Sequence, residues 1–419
     1  MDRMINILII LILMFCFYAN NQSALYGQDD NVAKIVVYEP FALERSIEYI
    51  ECNLQLNENG RKGKELQLYV QDINTGQNTV CQIYKDDYFP EEKIRAVSII
   101  FPISISANER KTFNVKYGSP HVSDKSNLSI QGQGFDLKIE NQFYLADLTK
   151  SAESEGKNHE SGQLRELFIK MGFNQRLFRG QNRIHWAPNF QKKDVQHYQT
   201  IAGWEKPKTY NLFKGPYLVF SERCDLAPGN PEILLSASYK FYADLPYFIF
   251  FSSMEFIENS WLTLLRNDEM TMDSLFTNVA CERISGEIID LPFKQRYELL
   301  EKNPIENEAP WLCFYNRDKG YGYASIRIMY DIRDRLGQPS PTYLAHTKIS
   351  DGSGGGKYWN RRLIHDHPTF VAKGSRYTEQ NAYLVFKLAE GDKFKEIKYW
   401  ADRLRNPVLV EVFIASDNY

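Results

Sequence analysis

The chain has 419 residues, with 50 lysines and arginines and 53 aspartates and glutamates, which give a formal net charge of −3. This length exceeds the size at which one hydrophobic core usually keeps growing, so two domains are expected. The basic residues form no stripe or arm that could follow a phosphate backbone, which argues against nucleic acid as a partner.

The first residues have the pattern of a secretory signal. Arg3 precedes a predominantly apolar run from Ile5 to Tyr18, and a polar stretch follows it. The run is short for a bilayer span, whereas a basic start, an apolar middle and a polar exit are typical of a cleaved signal peptide. We therefore expect residues 1–27 to be removed, leaving a periplasmic protein that no longer contacts the membrane. An uncleaved N-terminal anchor is the alternative.

Five cysteines follow the predicted signal, at wide and irregular spacing: Cys52, Cys81, Cys224, Cys281 and Cys313. No two of them form a C-x-x-C motif, so the pattern indicates neither a disulfide framework nor a zinc site. We expect small buried side chains, with a Cys52–Cys81 pair as the alternative.

Residues 28–120 have the pattern of a small β-domain. Runs of alternating or β-branched apolar residues are separated by turn signals such as Asn57-Glu58-Asn59-Gly60. Six strands at this spacing predict an N-terminal β-sandwich or barrel. The Pro-, Gly- and Ser-containing segment Gly118–Asn127 has a linker composition, so we place the domain boundary there.

Residues 128–419 contain a second series of candidate strands, too many for an immunoglobulin-sized sandwich. This number predicts a large antiparallel β super-sandwich, and thus an all-β protein overall. The best helical pattern is Asp392–Leu404, which ends before Asn406-Pro407. The glycine-rich segment Asp351–Gly356 is expected to be a loop or lid.

Clusters of polar and aromatic residues interrupt the second series of strands, namely Arg183-Ile184-His185-Trp186, Arg266-Asn267-Asp268 and Tyr358-Trp359-Asn360-Arg361-Arg362. Imidazole and phenol groups can move protons, guanidinium forks match carboxylates, and tryptophan can stack on a sugar ring. These clusters predict an aromatic-lined polar cleft suited to carbohydrate. The structural alternative has the same residues in core packing, solvated loops or ion pairs.

Two further chemistries stay open from the residues alone. His365-Asp366-His367 offers two imidazoles on one side of an extended segment, which is a weak metal motif. Glu282 and Glu379 are the most plausible carboxylate pair for glycoside hydrolysis, although sequence gives no separation between them.

The opening Val37-Tyr38-Glu39-Pro40, the stretch from Tyr239 to Tyr247 and Arg266-Asn267-Asp268 resemble periplasmic carbohydrate-active proteins of the Bacteroidota. These proteins have a galactose-mutarotase-like super-sandwich. Within the group, the chain is most similar to ulvan-oligosaccharide dehydratases and lyase-like proteins of marine members. The resemblance rests on overall pattern and short phrases, so no catalytic residue is carried over from the family.

This resemblance implies a carbon–oxygen lyase that acts by β-elimination on a uronate-containing oligosaccharide, with or without sulfate groups. The carboxylate must be neutralised while a base removes the adjacent proton and an acid assists the leaving group. From side-chain chemistry, we expect His185 and Tyr358 in the proton roles, Arg361 and Arg266 at the carboxylate, and His346 assisting. The predicted substrate-binding residues are Arg183, Trp186, Trp359, Asn360 and Asn267.

Elimination of water is preferred over cleavage of the chain. The alternatives are a polysaccharide lyase, a glycoside hydrolase and a carbohydrate-binding protein without catalysis. No cofactor is expected, and a divalent metal remains open.

Overall fold

The computed structural model describes residues 31–57, 66–91, 94–119, 126–148, 151–152, 158–180, 183–273, 275–295, 300, 304–342, 346–352 and 356–414. The predicted signal peptide and the centre of the glycine-rich loop lie outside the described residues. Among the described residues, no helix combines the length and apolar character needed to cross a membrane.

In chain order, the strands are β1 Asn31–Tyr38, β2 Arg45–Asn57, β3 Leu68–Asp72, β4 Asn78–Val80, β5 Gln82–Phe89, β6 Ile94–Ile105, β7 Arg110–Tyr117, β8 Ser129–Gln133, β9 Asp136–Glu140, β10 Tyr144–Asp147, β11 Ser151–Ala152, β12 Asn158–His159, β13 Glu166–Ile169, β14 Gln175–Leu177, β15 Asn189–Lys192, β16 Gln199–Thr200, β17 Thr209–Lys214, β18 Leu218–Ala227, β19 Asn230–Tyr242, β20 Tyr247–Phe256, β21 Ser260–Met272, β22 Asn278–Glu282, β23 Ile288–Pro292, β24 Ile305–Glu306, β25 Trp311–Asn316, β26 Tyr321–Asp331, β27 His346–Asp351, β28 Lys357–Val371, β29 Arg376–Lys387 and β30 Leu409–Ile414. Helix α1 spans Lys395–Arg405, and short 3₁₀ turns lie at Ile201–Gly203 and Phe293–Gln295.

The N-terminal unit is a β-sandwich. A five-stranded sheet in the order β30-β1-β7-β3-β4 packs against a three-stranded sheet in the order β2-β6-β5. Alternate residues point into the shared core, as with Ile35 and Val37 on β1 and Ile99 and Phe101 on β6, all fully buried. Period-two alternation of this kind is what made the strands recognisable in the sequence.

The last strand belongs to this first unit. β30 pairs with β1 in antiparallel register, from Tyr38 opposite Leu409 to Ala33 opposite Ile414. The predicted division at residues 120 and 128 therefore differs from the structure, because residues 409–414 complete the N-terminal sheet. Sequence pattern identifies such a strand but not its partner, since pairing depends on contacts far apart in the chain.

The second unit is built on two stacked antiparallel sheets, which confirms the all-β prediction with a large sandwich. The nine-stranded sheet has the order β17-β18-β19-β20-β29-β26-β25-β22-β23, and the six-stranded sheet has the order β16-β15-β21-β28-β27-β24. Phe248 and Tyr323 from the first sheet and Met270 and Trp359 from the second are fully buried in one core. A further five-stranded sheet, β14-β13-β10-β9-β8, packs onto the same core.

The other face of the nine-stranded sheet holds α1 and the N-terminal sandwich. Ile397 and Trp400 of α1 are buried there with Tyr49 of β2. The helix begins three residues after the predicted start and ends before Pro407, as expected from the restriction that proline places on the preceding residue.

One half-buried carboxylate joins the two units. Glu51 on β2 accepts hydrogen bonds from the hydroxyls of Tyr84 and Tyr242, both at 2.8 Å, and pairs with Lys240. Burial opposes ionisation of Glu51, but Lys240 and the two hydroxyls outweigh it and lower the pKa of the carboxyl. Lys240 and Tyr242 lie on β19, so this contact ties the sandwich to the nine-stranded sheet.

The five described cysteines are free thiols. Four of them are buried and Cys224 is half-buried, as expected from the wide spacing. The alternative pairing of Cys52 with Cys81 is absent, and burial raises the pKa of both thiols above the ordinary value.

Replacing the core tryptophan of β28 tests the packing between the two large sheets. Trp359 is fully buried, so Trp359→Ala should lower the free energy of unfolding by about 3–5 kcal/mol. Trp261, on β21, is 52% exposed, so the matched Trp261→Ala should cost only about 0.5 kcal/mol. Urea titration followed by circular dichroism measures both, and equal losses would contradict the assigned burial.

Candidate functional site

The outward face of the six-stranded sheet carries a row of polar side chains. Arg266 on β21 lies directly opposite Asn189 on β15 and Arg362 on β28. Arg362 in turn lies opposite His346 on β27. Because directly opposite residues of antiparallel strands project to the same face, these four side chains share one surface.

Two further positions on β28 extend the row along the strand. Tyr358 and Asn360 have the same parity as Arg362, so all three project outward. Arg362 Nε donates a hydrogen bond to Asn360 Oδ1 at 3.1 Å, which confirms the shared face. Trp186 and Tyr198 lie at the rim of this surface, and Glu269 lies beside Arg266. We call the whole set the polar recess: Trp186, Asn189, Tyr198, Arg266, Glu269, His346, Tyr358, Asn360 and Arg362.

A β-bulge on β21 adds a carboxylate to the polar recess. The pairing with β28 shifts register between Asn267 and Met270, and Asp268 has a positive φ of 44°. An extra residue in one strand re-aims its neighbours, so Asp268 turns into the core while Glu269 faces outward. Asn189 Nδ2 donates to Glu269 Oε2 at 2.9 Å, and Arg266 Nη1 lies 3.7 Å from the same oxygen.

Several buried polar atoms in the polar recess have no hydrogen-bond partner among the described residues. They are Trp186 Nε1, Asn189 Oδ1, Arg266 Nε and Asn360 Nδ2. An unpaired buried donor or acceptor is costly, so a cluster of them on one face indicates a site for a polar ligand. The three unpaired N–H groups can donate hydrogen bonds to hydroxyl or carboxylate oxygens of a ligand. The one unpaired oxygen can accept a hydrogen bond from a ligand hydroxyl.

The electrostatics of the polar recess favour an anion. Arg266 and Arg362 are directly opposite each other, and like charges in this arrangement are destabilising. Burial, and then the charge of Arg266, lowers the pKa of Arg362. Glu269 is the buried carboxylate next to both guanidinium groups, and its own burial raises its pKa despite Arg266. A bound anion would relieve the repulsion between the two arginines.

His365 fixes the position of one arginine. Arg266 Nη2 donates to His365 Nδ1 at 3.3 Å, and His365 Nε2 lies 2.8 Å from the carboxylate of Asp366. Burial, with the charges of Arg362 and Arg266, lowers the pKa of His365 to about 4. The imidazole is therefore neutral near pH 7 and holds the guanidinium without adding a charge.

Aromatic side chains form the rim of the polar recess. Trp186 and Tyr198 make an edge contact with ring centroids 6.1 Å apart. Tyr198 is 48% exposed, and burial of the rest of its side chain, followed by the charge of Glu269, raises its pKa. The main chain of Trp186 hydrogen-bonds to the carbonyl of Glu269, so the rim is anchored to the bulge.

Beneath the polar recess lies a separate polar network in the core. The fully buried carboxylate of Asp268 accepts hydrogen bonds at 2.8–3.2 Å from four side chains: Ser325, Tyr330, Trp359 and Tyr383. The backbone N–H of Asp268 donates to Glu379 Oε2 at 2.8 Å. Every donor comes from β26, β28 or β29, so this network connects both large sheets.

Glu379 completes the buried network. Ser252 Oγ and Asn381 Nδ2 donate to its two oxygens, each at 2.8 Å. Burial, followed by repulsion from Asp268, raises its pKa from 4.5 to about 8. Glu379 therefore keeps its proton near neutral pH, which avoids a second negative charge beside the carboxyl group of Asp268.

The structure places His185 in this interior and not at the surface. Its side chain is fully buried, its Nδ1 hydrogen-bonds with the hydroxyl of Tyr239, and its ring packs 4.4 Å from that of Phe250. Burial lowers the pKa of His185 well below the ordinary value. A neutral imidazole closed off from solvent cannot exchange a proton with a substrate on the outward face.

The ten predicted site residues divide evenly between the two faces. Those at the polar recess are Trp186, Arg266, His346, Tyr358 and Asn360. Those in the interior are Arg183, His185, Asn267, Trp359 and Arg361. The side-chain direction separates the two groups and burial does not, since Asn360 is also 0% exposed. Arg361 donates to Asn267 Oδ1 at 3.1 Å and stacks on Tyr330. It therefore stabilises the packing of one large sheet on the other.

Sequence reasoning missed four residues of the polar recess: Asn189, Tyr198, Glu269 and Arg362. A usable signal existed for Arg362, which has the parity of Tyr358 and Asn360 in a strand. No such signal existed for Glu269, because its direction depends on the bulge at Asp268.

The two alternative chemistries are not assembled as the sequence suggested. Glu282 and Glu379 lie on β22 and β29, three strand spacings apart, which is roughly 14 Å. Glu282 accepts from Trp311 Nε1 at 2.6 Å, far from the interior position of Glu379. Among the described residues, no group of three or more His, Cys, Asp or Glu side chains is arranged to hold a metal ion.

No protein-family model and no curated protein matches the chain. Its structure is similar to a protein in glycosyl hydrolase family 38 from Enterococcus faecalis, with 10% identity and a TM-score of 0.51 over 92% of this chain and 47% of that one. An α-mannosidase from E. faecalis V583 matches with 10% identity and a TM-score of 0.49 over 91% and 46% of the two chains. A putative mutarotase from Salmonella typhimurium matches with 9% identity and a TM-score of 0.36 over 62% and 94%.

The first of these likenesses shows a shared fold. The chain spans about half the length of the family 38 protein, and identity is low, so the likeness extends to architecture alone. The predicted super-sandwich is thus supported by an independent structure, while the ulvan-specific resemblance stays a prediction.

The pH dependence of stability tests the buried carboxyl pair. Between pH 4.5 and 8, Glu379 keeps its proton in the folded state but not in the unfolded state. Its contribution is therefore fully present below pH 4.5 and is lost as the pH rises through 8. We expect the free energy of unfolding to fall more between pH 5 and pH 8.5 in the wild type than in Glu379→Gln. Parallel curves in urea titrations would contradict the raised pKa.

Proposed function

We propose that this protein is a carbohydrate-active enzyme whose polar recess binds an acidic sugar and carries out β-elimination on it. The observation that carries the proposal is the opposed pair Arg266 and Arg362 on a face with unpaired buried polar atoms. Guanidinium forks bind a carboxylate in two-point geometry, and neutralising that charge makes the adjacent C–H more acidic. The fold likeness to a family 38 glycosyl hydrolase is consistent with a sugar substrate.

The proton roles fall to groups on the outward face. Glu269 is the base in this proposal, because its raised pKa makes its carboxylate a stronger proton acceptor than an exposed one. Tyr358 is the acid, since its phenol can donate to a departing oxygen. The base takes the proton next to the sugar carboxylate, a C=C bond forms, and the C4–O bond breaks as that oxygen receives the phenol proton.

The remaining residues of the polar recess hold the substrate. Arg266 and Arg362 neutralise the carboxylate, and Asn189 and Asn360 bind sugar hydroxyls with their unpaired atoms. Trp186 supports one face of the ring. His346 assists from its place opposite Arg362. Glu269 and Arg362 thus take the roles first expected of His185 and Arg361.

The leaving group decides between two finer assignments. A free hydroxyl at C4 of a non-reducing-end uronate leaves as water, which makes the protein a dehydratase, whereas a glycosidic oxygen makes it a polysaccharide lyase. We favour dehydration of a ulvan-type uronate oligosaccharide, because the resemblance of the sequence points there. A periplasmic location after signal removal belongs to the same proposal.

Product analysis tests the reaction class. We expect the mature protein, incubated with ulvan-derived uronate oligosaccharides, to yield products that absorb in the ultraviolet. Loss of one water without shortening supports the dehydratase, and unsaturated fragments support elimination with chain cleavage. Products that have gained water, or intact substrate, would overturn β-elimination.

Substitutions in the polar recess test the residue roles. Arg362→Ala should lower turnover by roughly 100-fold or more, because an electrostatic contact to the reacting carboxylate is lost. Tyr358→Phe should lower it by about 100-fold through loss of proton transfer, with unchanged stability. Arg333→Ala and Tyr88→Phe, at exposed positions elsewhere, are the matched controls and should retain activity. Full turnover in both recess variants would reject the assignment.

A further inference from the structure

An exposed pair of aromatic rings lies on the same two strands as the polar recess. Trp261 on β21 and Phe370 on β28 are directly opposite each other, with ring centroids 5.5 Å apart and planes at 58°. Trp261 is 52% exposed and Phe370 is 44% exposed. The amino group of Lys193 lies 5.8 Å from the Trp261 ring centre. We call these three residues the aromatic platform.

The aromatic platform and the polar recess share one face. Leu262 and Leu265 of β21 are fully buried in the core, so Trp261 and Arg266 on either side of them project outward. A spacing of five residues would place two side chains on opposite faces of a regular strand, but the register shifts between Leu262 and Leu264. Along the strand, the separation of Trp261 from Arg266 is about 17 Å.

The segment from Lys193 to Tyr198 connects the two surfaces. The backbone N–H of Lys193 donates to the carbonyl of Trp261 at 3.0 Å, which anchors one end beside the aromatic platform. At the other end, Tyr198 contacts Trp186 at the rim of the polar recess. The residues between them are exposed and mostly polar, with Val195 39% exposed, so an accessible surface runs from one site to the other.

The physical character of the aromatic platform fits sugar better than a protein partner. Two tilted rings with a cation beside them are a small surface, and exposed aromatic groups of this kind mark binding sites. The apolar side of a pyranose ring packs on an aromatic face, while Lys193 complements an anionic substituent. The distance from Arg266 is greater than one sugar ring can bridge.

We propose that the aromatic platform is a distal subsite that holds further residues of the acidic oligosaccharide bound in the polar recess. This inference rests on the proposed function and adds to it that the substrate is an oligomer of several sugars, recognised along β21. The polar recess acts on the terminal uronate, and the aromatic platform retains the remainder of the chain.

Chain-length dependence tests the distal subsite. Binding and turnover of a ulvan-derived disaccharide and an octasaccharide are measured by calorimetry and product analysis for the wild type, Trp261→Ala and Phe370→Ala. We expect each variant to bind the octasaccharide roughly tenfold more weakly, with KM raised and kcat retained. The disaccharide, which does not reach the aromatic platform, should bind equally to all three proteins.

Two controls separate the possible failures. Trp261→Phe should recover most of the octasaccharide affinity because it keeps a ring, and Tyr88→Ala should match the wild type. If the wild type acts on both lengths and the variants lose no octasaccharide affinity, the distal subsite is rejected while the proposed function stands. If the wild type acts on neither length, the proposed function is rejected, and the distal subsite, which rests on it, is rejected with it. Dimerisation that Trp261→Ala abolishes would reassign the surface to a second copy of the chain.

Discussion

The buried carboxylate of Asp268 is the interaction on which the rest of the larger unit depends. It accepts hydrogen bonds from both stacked sheets, and these donors compensate for the cost of burying its two oxygens. The same residue occupies the β-bulge with a positive φ, where a short polar side chain is tolerated. Its inward turn is what presents Glu269 to the outward face. Core stability and the layout of the polar recess therefore arise from one local backbone feature.

The polar residues on the two faces of the six-stranded sheet have different roles. On the inner face, Arg361 donates to Asn267 and stacks on Tyr330, while Asn267 Nδ2 itself has no hydrogen-bond partner among the described residues. On the outer face, Arg266 and Arg362 oppose each other and leave hydrogen-bonding atoms unused. Satisfied networks rigidify a core, whereas unsatisfied ones of like charge attract ligands. What distinguishes the outer face is that its unpaired atoms lie beside two directly opposed guanidinium groups.

The fold class and the C-terminal helix could be predicted, because hydrophobic alternation and proline restriction are local properties of sequence. The sequence analysis treated the cluster around Tyr358 as one group. In a strand its members alternate, so Trp359 and Arg361 enter the core while Arg362 joins the outer face. Applying that alternation would have corrected half of the cluster. The position of Glu269 required knowledge of a bulge, which depends on pairing between distant strands.

The return of β30 to the N-terminal sandwich imposes an order on folding. Tyr38 and Leu409 are paired although nearly the whole chain separates them, so the first sheet stays incomplete until the last strand has been synthesised. Closing so long a loop is entropically slow, and until then one edge of β1 is uncovered. A polypeptide built this way acquires its full architecture only after residue 414 has been made.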